Sequence, residues 1–204
     1  EIVESQSGED DVIFGSGLRR EDAYKLTALK ALEPDITVLG SSRVMQFRQH
    51  SFKDKFFNLG GLMNSIHDGH VVARHLIEVK PKALIIGVDI WWFNLMYIAP
   101  KAYDNTSFER YEAKPKLADA HRFITYLVQG NIDLSLSNHH IGLSGKKGSG
   151  FGKDGFRYYG SMFTEESGGS AKFKDTLSRI DNNNLRFEYG AIANREHLDH
   201  FKAL

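Results

Sequence analysis

The tetrapeptide Gly40-Ser41-Ser42-Arg43 carries the side chains of this sequence that are best suited to covalent chemistry. It follows a short apolar run, Ile-Thr-Val-Leu, that is typical of a buried strand. A serine at a tight turn between a strand and a helix exposes its hydroxyl and sets its N–H near a helix N-terminus, which suits nucleophilic attack and oxyanion stabilisation. Serine is also a common N-cap of such a helix. Ser41 and Ser42 are therefore candidates for either role.

Two further groups of residues follow apolar runs in the same way. Gly60 and Gly61 close the run Phe-Phe-Asn-Leu, and Asp89 follows Ala-Leu-Ile-Ile-Gly-Val. In a parallel sheet the carboxyl ends of the strands share one edge, and ligands bind beyond it. We therefore expect these residues to lie close to Ser42. Arg43 has two interpretations, as a ligand for a substrate anion or as an ion-pair partner of Asp89.

An aromatic cluster, Trp91-Trp92-Phe93, comes directly after Asp89. Exposed rings would form a wall that stacks on sugars, and Trp91 is the candidate for that contact. The structural alternative is core packing, which the large burial free energy of aromatic side chains favours for at least one of the two tryptophans.

The elements that would position these residues alternate along the chain. Helical patterns cover 21–32, 43–55 and 63–79, and apolar strand patterns cover 36–40, 56–61 and 81–93. This order implies parallel strands joined by right-handed crossovers. The predicted fold class is α/β, a three-layer α/β/α sandwich with a mainly parallel sheet.

Residues 95–190 depart from this alternation and are predicted to form a long insertion or lid. They contain a helical pattern over 117–129 and a Gly-rich stretch, whose Arg157, Tyr158 and Tyr159 we interpret as part of a flexible loop over a polymer substrate. A last helical pattern covers 191–204. Residues 1–204 are interpreted as a single domain, and the alternation predicts a further strand after Leu204, as in a chain truncated at its C-terminus.

Composition excludes several classes of function. The 26 basic and 26 acidic residues balance, so no nucleic-acid partner is expected. The lack of cysteine excludes disulfides and thiolate metal sites and fits an oxidising compartment. The histidine pairs at 67 and 70 and at 197 and 200 lack a metal-binding motif, and the Gly-Lys stretch lacks a phosphate-loop pattern, so neither metal nor cofactor is expected.

No apolar stretch is long enough to span a membrane and no signal peptide is present, while the start at Glu1 leaves open an anchor upstream.

Three blocks, VLGSSRVMQFR, FFNLGG and IIGVDIWWFN, resemble the SGNH hydrolase superfamily, in particular its bacterial extracytoplasmic branch associated with acylation of cell-envelope polysaccharides. The resemblance implies an SGNH/flavodoxin-like sandwich in which Ser42 is the nucleophile and Ser41 replaces the aspartate of the family. It also implies that Gly60 or Gly61 donates an N–H to the oxyanion. The family's third-block asparagine is missing before Asp89, and Asn94 is the nearest substitute donor.

The function implied by this resemblance is a serine esterase or O-acyltransferase that acts on an acylated cell-envelope glycan or a small-molecule ester, outside the cytoplasm or in the periplasm. The Asp-x-x-His block of the family has no counterpart at a matching place, so the general base is unidentified, and His200 comes nearest to it by family position. One alternative is a catalytically inactive SGNH-like domain that binds a glycan or a partner protein through Trp91, Trp92 and the insertion. Another is a flavodoxin-like small-ligand domain in which the Gly40–Ser42 turn binds an anion at a helix N-terminus.

Overall fold

The computed structural model describes residues 21–94, 150–159 and 195–204, the short strands at 13–15 and 140–141, Gln6, and the separate helical positions 121, 124, 125, 128 and 178. Its strands and helices, in chain order, are β1 (Ile13–Gly15), α1 (Glu21–Leu32), β2 (Ile36–Gly40), β3 (Phe56–Gly60), α2 (Ile66–Val79), β4 (Ala83–Gly87), β5 (His140–Ile141), β6 (Gly150–Phe151), β7 (Arg157–Tyr158) and α3 (Arg195–Lys202). Short 3₁₀ turns cover Ser42–Val44, Gln49–Ser51 and Ile90–Phe93. Within these ranges no helix has the length and apolar character needed to cross a membrane.

The central sheet has three parallel strands in the order β3-β2-β4. Its middle strand, β2, is buried on both faces, and Thr37, Val38 and Leu39 expose no surface. The chain leaves β2 to form β3 on one side and then crosses back to form β4 on the other side. The predicted α/β class with a parallel sheet is therefore confirmed.

The two faces of the sheet are covered by different parts of the chain. Because strand side chains alternate between faces, Leu39, Phe57 and Leu59 point to one side of the sheet. On that side α1, α2 and the 3₁₀ turn Ile90–Phe93 form the main core. Val38 and Phe56 point to the other side. There they meet a smaller cluster supplied by the 41–55 crossover, which includes Val44 and Phe52.

The helix predicted over 43–55 is wrong, because the crossover consists of two 3₁₀ turns. The buried Asn58 side chain on β3 explains the difference. Its Nδ2 donates to the carbonyl oxygens of Val44 and Phe47, at 2.8 Å each. In an α-helix these carbonyls would accept from the N–H groups four residues further along the chain. The strand predicted over 81–93 is also shorter than expected, since it ends at Gly87.

A second sheet has the strand order β5-β1-β6-β7, and its β6–β7 hairpin lies against the edge of β3. The Asn58 N–H donates to the Asp154 carbonyl at 2.8 Å, and the Arg157 N–H donates to the Met45 carbonyl at 2.9 Å. The ring of Phe151 is fully buried. Residues 150–159 are therefore a packed hairpin and not the flexible loop that their glycine content predicted. Most of the predicted 95–190 insertion, including most of the helix at 117–129, lies outside the described residues.

Candidate functional site

A row of three glycines crosses the carboxyl edge of the parallel sheet. The strand register places Gly40 of β2 between Gly60 of β3 and Gly87 of β4. Val44 packs down onto this row, since a Cβ at Gly40 would lie 2.9 Å from its Cγ2 and a Cβ at Gly87 would lie 2.2 Å from its Cγ1. The glycines thus make room for the 3₁₀ turn to fold back over the strand ends, which positions Ser42 at this edge.

This packing predicts a compensating pair of substitutions. Gly87→Ala is expected to lower the free energy of unfolding by about 2 kcal/mol, because the new methyl group overlaps Val44. In the double variant Gly87→Ala/Val44→Ala the overlapping Cγ1 is gone, and the next atom lies at an ordinary 3.6 Å. The loss of unfolding free energy in the double variant should therefore be smaller, by about 1–2 kcal/mol, than the sum of the losses in the two single variants. Urea unfolding of the wild type and the three variants measures these losses.

Val72→Ala is the control for this pair, because Val72 is buried on the opposite face of the sheet. Its effect should add to that of Gly87→Ala within about 0.5 kcal/mol. Equal coupling energies for Val44 and Val72 would contradict the close contact between the turn and the glycine row.

The two serines of the turn have different environments. Ser41 is buried and its Oγ accepts the Arg43 N–H at 3.3 Å, so Ser41 is the N-cap of the turn. Ser42 is exposed, and its hydroxyl makes no hydrogen bond with any residue that the structure describes. The capping role and the candidate nucleophile therefore fall on different residues. The turn after Ser42 spans only three residues, so the helix N-terminus on which the anion-binding alternative depended is not formed there.

Arg43 joins the serine turn to the end of β4. Its Nε lies 3.5 Å from Asp89 Oδ1, and its guanidinium lies over the Trp91 ring, 4.2 Å from the ring centre. Asp89 is only 4% exposed, whereas the Arg43 side chain is 59% exposed. The ion-pair interpretation of Arg43 is thus observed, and the exposed guanidinium still faces solvent. Asp89 Oδ2 is buried and has no hydrogen-bond partner among the residues that the structure describes.

The tryptophans after Asp89 are part of the core. Trp91 is 7% exposed and Trp92 is 2% exposed, so neither presents an open ring face to a sugar. The α3 helix holds this turn in place, since His197 Nδ1 lies 2.9 Å from the Trp92 carbonyl oxygen and Phe201 packs edge-on against Phe93. Asn94 ends the turn by donating its N–H to the Trp91 carbonyl at 3.0 Å.

The N–H groups of the two candidate oxyanion glycines already have acceptors. The Gly60 N–H donates to Asn58 Oδ1 at 2.6 Å, and the Gly61 N–H donates to the Gly40 carbonyl at 2.8 Å. An oxyanion at this edge would compete with these acceptors. The oxyanion role of Gly60 and Gly61 therefore stays a prediction, and the observed role of both N–H groups is to close the loop after β3.

Two of the histidines, His70 and His200, lie where α2 contacts α3. His70 Nε2 is 2.9 Å from the His200 carbonyl oxygen, and the His200 ring is exposed and 4.0 Å from Glu196. Over the described ranges, no histidine forms a hydrogen bond with the Ser42 hydroxyl. In the same ranges no three acidic or histidine side chains are grouped as metal ligands would be.

Sequence reasoning missed two buried polar residues that shape this edge. Lys25 of α1 has no exposed surface, and its Nζ donates to the Gly60 carbonyl at 2.7 Å and lies over the Phe151 ring. Asn58 holds both the crossover and the Gly60 N–H. An asparagine inside an otherwise apolar strand is a signal that could have been used, because buried amides are almost always hydrogen-bonded. Nothing in the helical pattern of α1 distinguished Lys25 from an exposed lysine.

The candidate site therefore consists of an exposed serine hydroxyl and an exposed arginine that is paired with a buried carboxylate. All three lie beyond the carboxyl ends of parallel strands. Comparison of the chain with protein-family models, with curated proteins and with solved structures found no match.

Proposed function

We propose that this chain is an SGNH-hydrolase-like domain that uses Ser42 to cleave or transfer an acyl ester, with an acylated cell-envelope glycan as the substrate class. The observation that carries the proposal is the place of Ser42 directly beyond the central strand β2. The next two strands of the chain, β3 and β4, lie on opposite sides of β2, so the strand order reverses there. Ligands of open α/β sheets bind at such a point of reversal. The order β3-β2-β4 is also the order of the first three strands of a flavodoxin-like sheet, which supports the three-layer fold.

In the proposed reaction the Ser42 oxygen attacks the ester carbonyl carbon while its proton passes to a general base. The tetrahedral intermediate then collapses and its bond to the alcohol oxygen breaks, while the protonated base gives its proton to that oxygen and the neutral alcohol leaves. Water or an acceptor hydroxyl removes the acyl group from Ser42 in the second step. Charge on the intermediate requires preorganised N–H donors. Gly60 could supply one if its N–H is shared between Asn58 Oδ1 and the oxyanion.

Asp89 gives the proposed site a means of holding a sugar. A buried carboxylate oxygen without a donor is unfavourable by roughly 1–3 kcal/mol or more. A sugar hydroxyl would remove this penalty by donating to Oδ2 once the side chains that cover this oxygen move aside. The exposed guanidinium of Arg43 would at the same time remain available to a polar group of the substrate.

A fluorophosphonate probe tests the proposed nucleophile directly, because the serine oxygen displaces fluoride and stays bonded to phosphorus. Mass spectrometry of the intact chain and of its peptides is expected to place the label on Ser42. Ser51→Ala, which removes an exposed serine of the next 3₁₀ turn, should be labelled like the wild type. Labelling of Ser42→Ala at the wild-type rate would overturn the assignment.

A second function, a catalytically inactive SGNH-like domain that binds an acylated glycan or a partner protein, is favoured by the occupied N–H groups of Gly60 and Gly61. In this case an acetylated oligosaccharide would bind but Ser42 would stay unlabelled by the fluorophosphonate. The binding would weaken in Asp89→Asn, whose amide presents a donor where the carboxylate accepts. Both functions are proposed to operate outside the cytoplasm, in keeping with the lack of cysteine.

A further inference from the structure

A cavity of about 520 Å³ lies away from the serine turn, next to the amino end of β3. Its walls come from one side of α1, the crossover around Arg48, the start of β3 and the loop between β6 and β7. Its volume is within the range of small-molecule sites, which is roughly 300–1,000 Å³. Ser42, Arg43 and Asp89 are not part of its lining.

One wall of the cavity is apolar. The side chains of Ala28, Leu32 and Phe56 line it together with Tyr24. The Tyr24 hydroxyl donates a hydrogen bond to Gln6 Oε1 at 2.6 Å and lies 3.1 Å from the Gly152 carbonyl oxygen. Burial raises the pKa of Tyr24, so this residue stays a neutral phenol. This side of the cavity therefore suits a hydrocarbon or ring and not a cation.

Basic side chains also line the cavity. Arg48, His50, Lys55 and Lys153 line it, and Asp154 is the acidic residue among the described lining residues. The Asp154 carboxylate already accepts hydrogen bonds from the backbone. Its Oδ2 accepts the Gln49 N–H at 2.7 Å, and its Oδ1 lies 3.4 Å from the Phe156 nitrogen. The cavity thus has an excess of positive charge over its described lining.

Two of these cations lack an acidic partner. Arg48 and Lys55 form no ion pair with a residue in the described ranges. The charge of Lys55 helps to lower the pKa of Asp35, but the ion-pair partner of Asp35 is Lys82, whose Nζ lies 2.8 Å from Asp35 Oδ1. An anion that entered the cavity would therefore meet lysine and arginine charges that the described acids do not neutralise.

Arg48 is held in a fixed orientation by the hairpin. Its guanidinium lies over the buried Phe156 ring, 3.9 Å from the ring centre, and forms no hydrogen bond with a described residue. Its Nε is buried, and no acceptor for it lies within the described part of the chain. A stacked guanidinium keeps its in-plane donors available, and its planar fork matches the two oxygens of a carboxylate or a phosphate.

We propose that this cavity binds a small organic anion. Arg48 holds the carboxylate or phosphate group with help from Lys55, and the apolar body of the ligand lies against Phe56 and Leu32. This binding site is separate from the Ser42 edge, and its existence does not depend on the proposed ester chemistry.

Calorimetric titration of the whole chain with phenyl phosphate, benzoate and benzamide tests this site. Both anions are expected to bind saturably, and the neutral benzamide should bind at least about tenfold more weakly than benzoate. Affinity for phenyl phosphate should fall as sodium chloride screens the charges. Failure of both anions to saturate at about 10 mM, or equal binding of benzoate and benzamide, would overturn the proposal.

Variants assign the binding to Arg48. Arg48→Gln should weaken phenyl phosphate binding at least about tenfold, and Arg48→Lys should show an intermediate loss because it keeps the charge without the fork. Lys53→Gln is the matched control, since Lys53 is exposed nearby but does not line the cavity. It should stay within about twofold of the wild type. Circular dichroism verifies that each variant is folded, and wild-type affinity in folded Arg48→Gln and Arg48→Lys would refute the site.

Discussion

Asn58→Asp is expected to lower the free energy of unfolding by about 4 kcal/mol, one of the largest effects of any single substitution in the described part of the chain. Asn58 is fully buried, its Nδ2 donates to two carbonyl oxygens, and its Oδ1 accepts the Gly60 N–H. A carboxylate of the same shape keeps the acceptor but loses both donors. Its charge would also face the oxygens of Val44 and Phe47. Urea unfolding of the wild type and the variant measures the difference.

The loss should depend on pH. Burial beside two carbonyl oxygens raises the pKa of the introduced carboxyl, and its protonated form can donate one of the missing hydrogen bonds. A group whose pKa is higher in the folded state than in the unfolded state stabilises the fold below the unfolded pKa, and this contribution is lost as the pH rises through the folded value. Asn58→Asp should therefore be closer to the wild type near about pH 4 than at pH 7.5.

Thr37→Val is the contrasting control for Asn58→Asp. Thr37 lies fully buried on the neighbouring strand β2, but its hydroxyl has no hydrogen-bond partner within the described ranges. Replacing it with an apolar side chain of similar shape should leave stability unchanged or raise it by about 1 kcal/mol. Equal losses for the two variants would mean that replacing any buried polar residue of this sheet has the same effect, whether or not its side chain is hydrogen-bonded. The bonds that Asn58 makes would then not explain the loss.

Ser42→Ala is expected to reduce the hydrolysis of 4-nitrophenyl acetate by about 10³-fold or more. The expectation follows from the proposed nucleophile, since alanine has no oxygen with which to form the acyl intermediate. Ser42 is exposed and its hydroxyl holds no part of the described fold. The variant should thus unfold within about 0.5 kcal/mol of the wild type, so that the loss of rate reports chemistry.

Ser51→Ala serves as the control for this rate as well, because it removes a similarly exposed hydroxyl from the same crossover. Its rate should equal that of the wild type. A wild-type rate in Ser42→Ala would exclude Ser42 as the nucleophile. Wild-type protein without measurable hydrolysis, together with binding of an acetylated oligosaccharide, would favour the inactive binding domain.

The sequence by itself determined the main elements and the place of the candidate serine. Apolar periodicity and strand length are local properties, so β2, β3, α1 and α2 were predictable from short windows. The end of a parallel strand is also where functional residues of α/β sheets collect, which indicated the edge that holds Ser42. The places of Arg43 and Asp89 after two strands of the same parallel sheet were enough to suggest their ion pair, which the structure contains.

Only the tertiary structure decided which polar groups at that edge already have partners. Asn58 binds carbonyls 11 and 14 residues away in the chain, and Lys25 reaches the Gly60 carbonyl 35 residues away. No local window contains both members of such a pair. Asn58 also accounts for the loss of the helix predicted at 43–55, since its Nδ2 binds the Val44 and Phe47 carbonyls that an α-helix would pair with N–H groups four residues further along. Hydropathy likewise did not predict that Leu84 and Ile85 of the apolar strand β4 would be exposed, because the burial of a strand depends on how the whole chain packs around it.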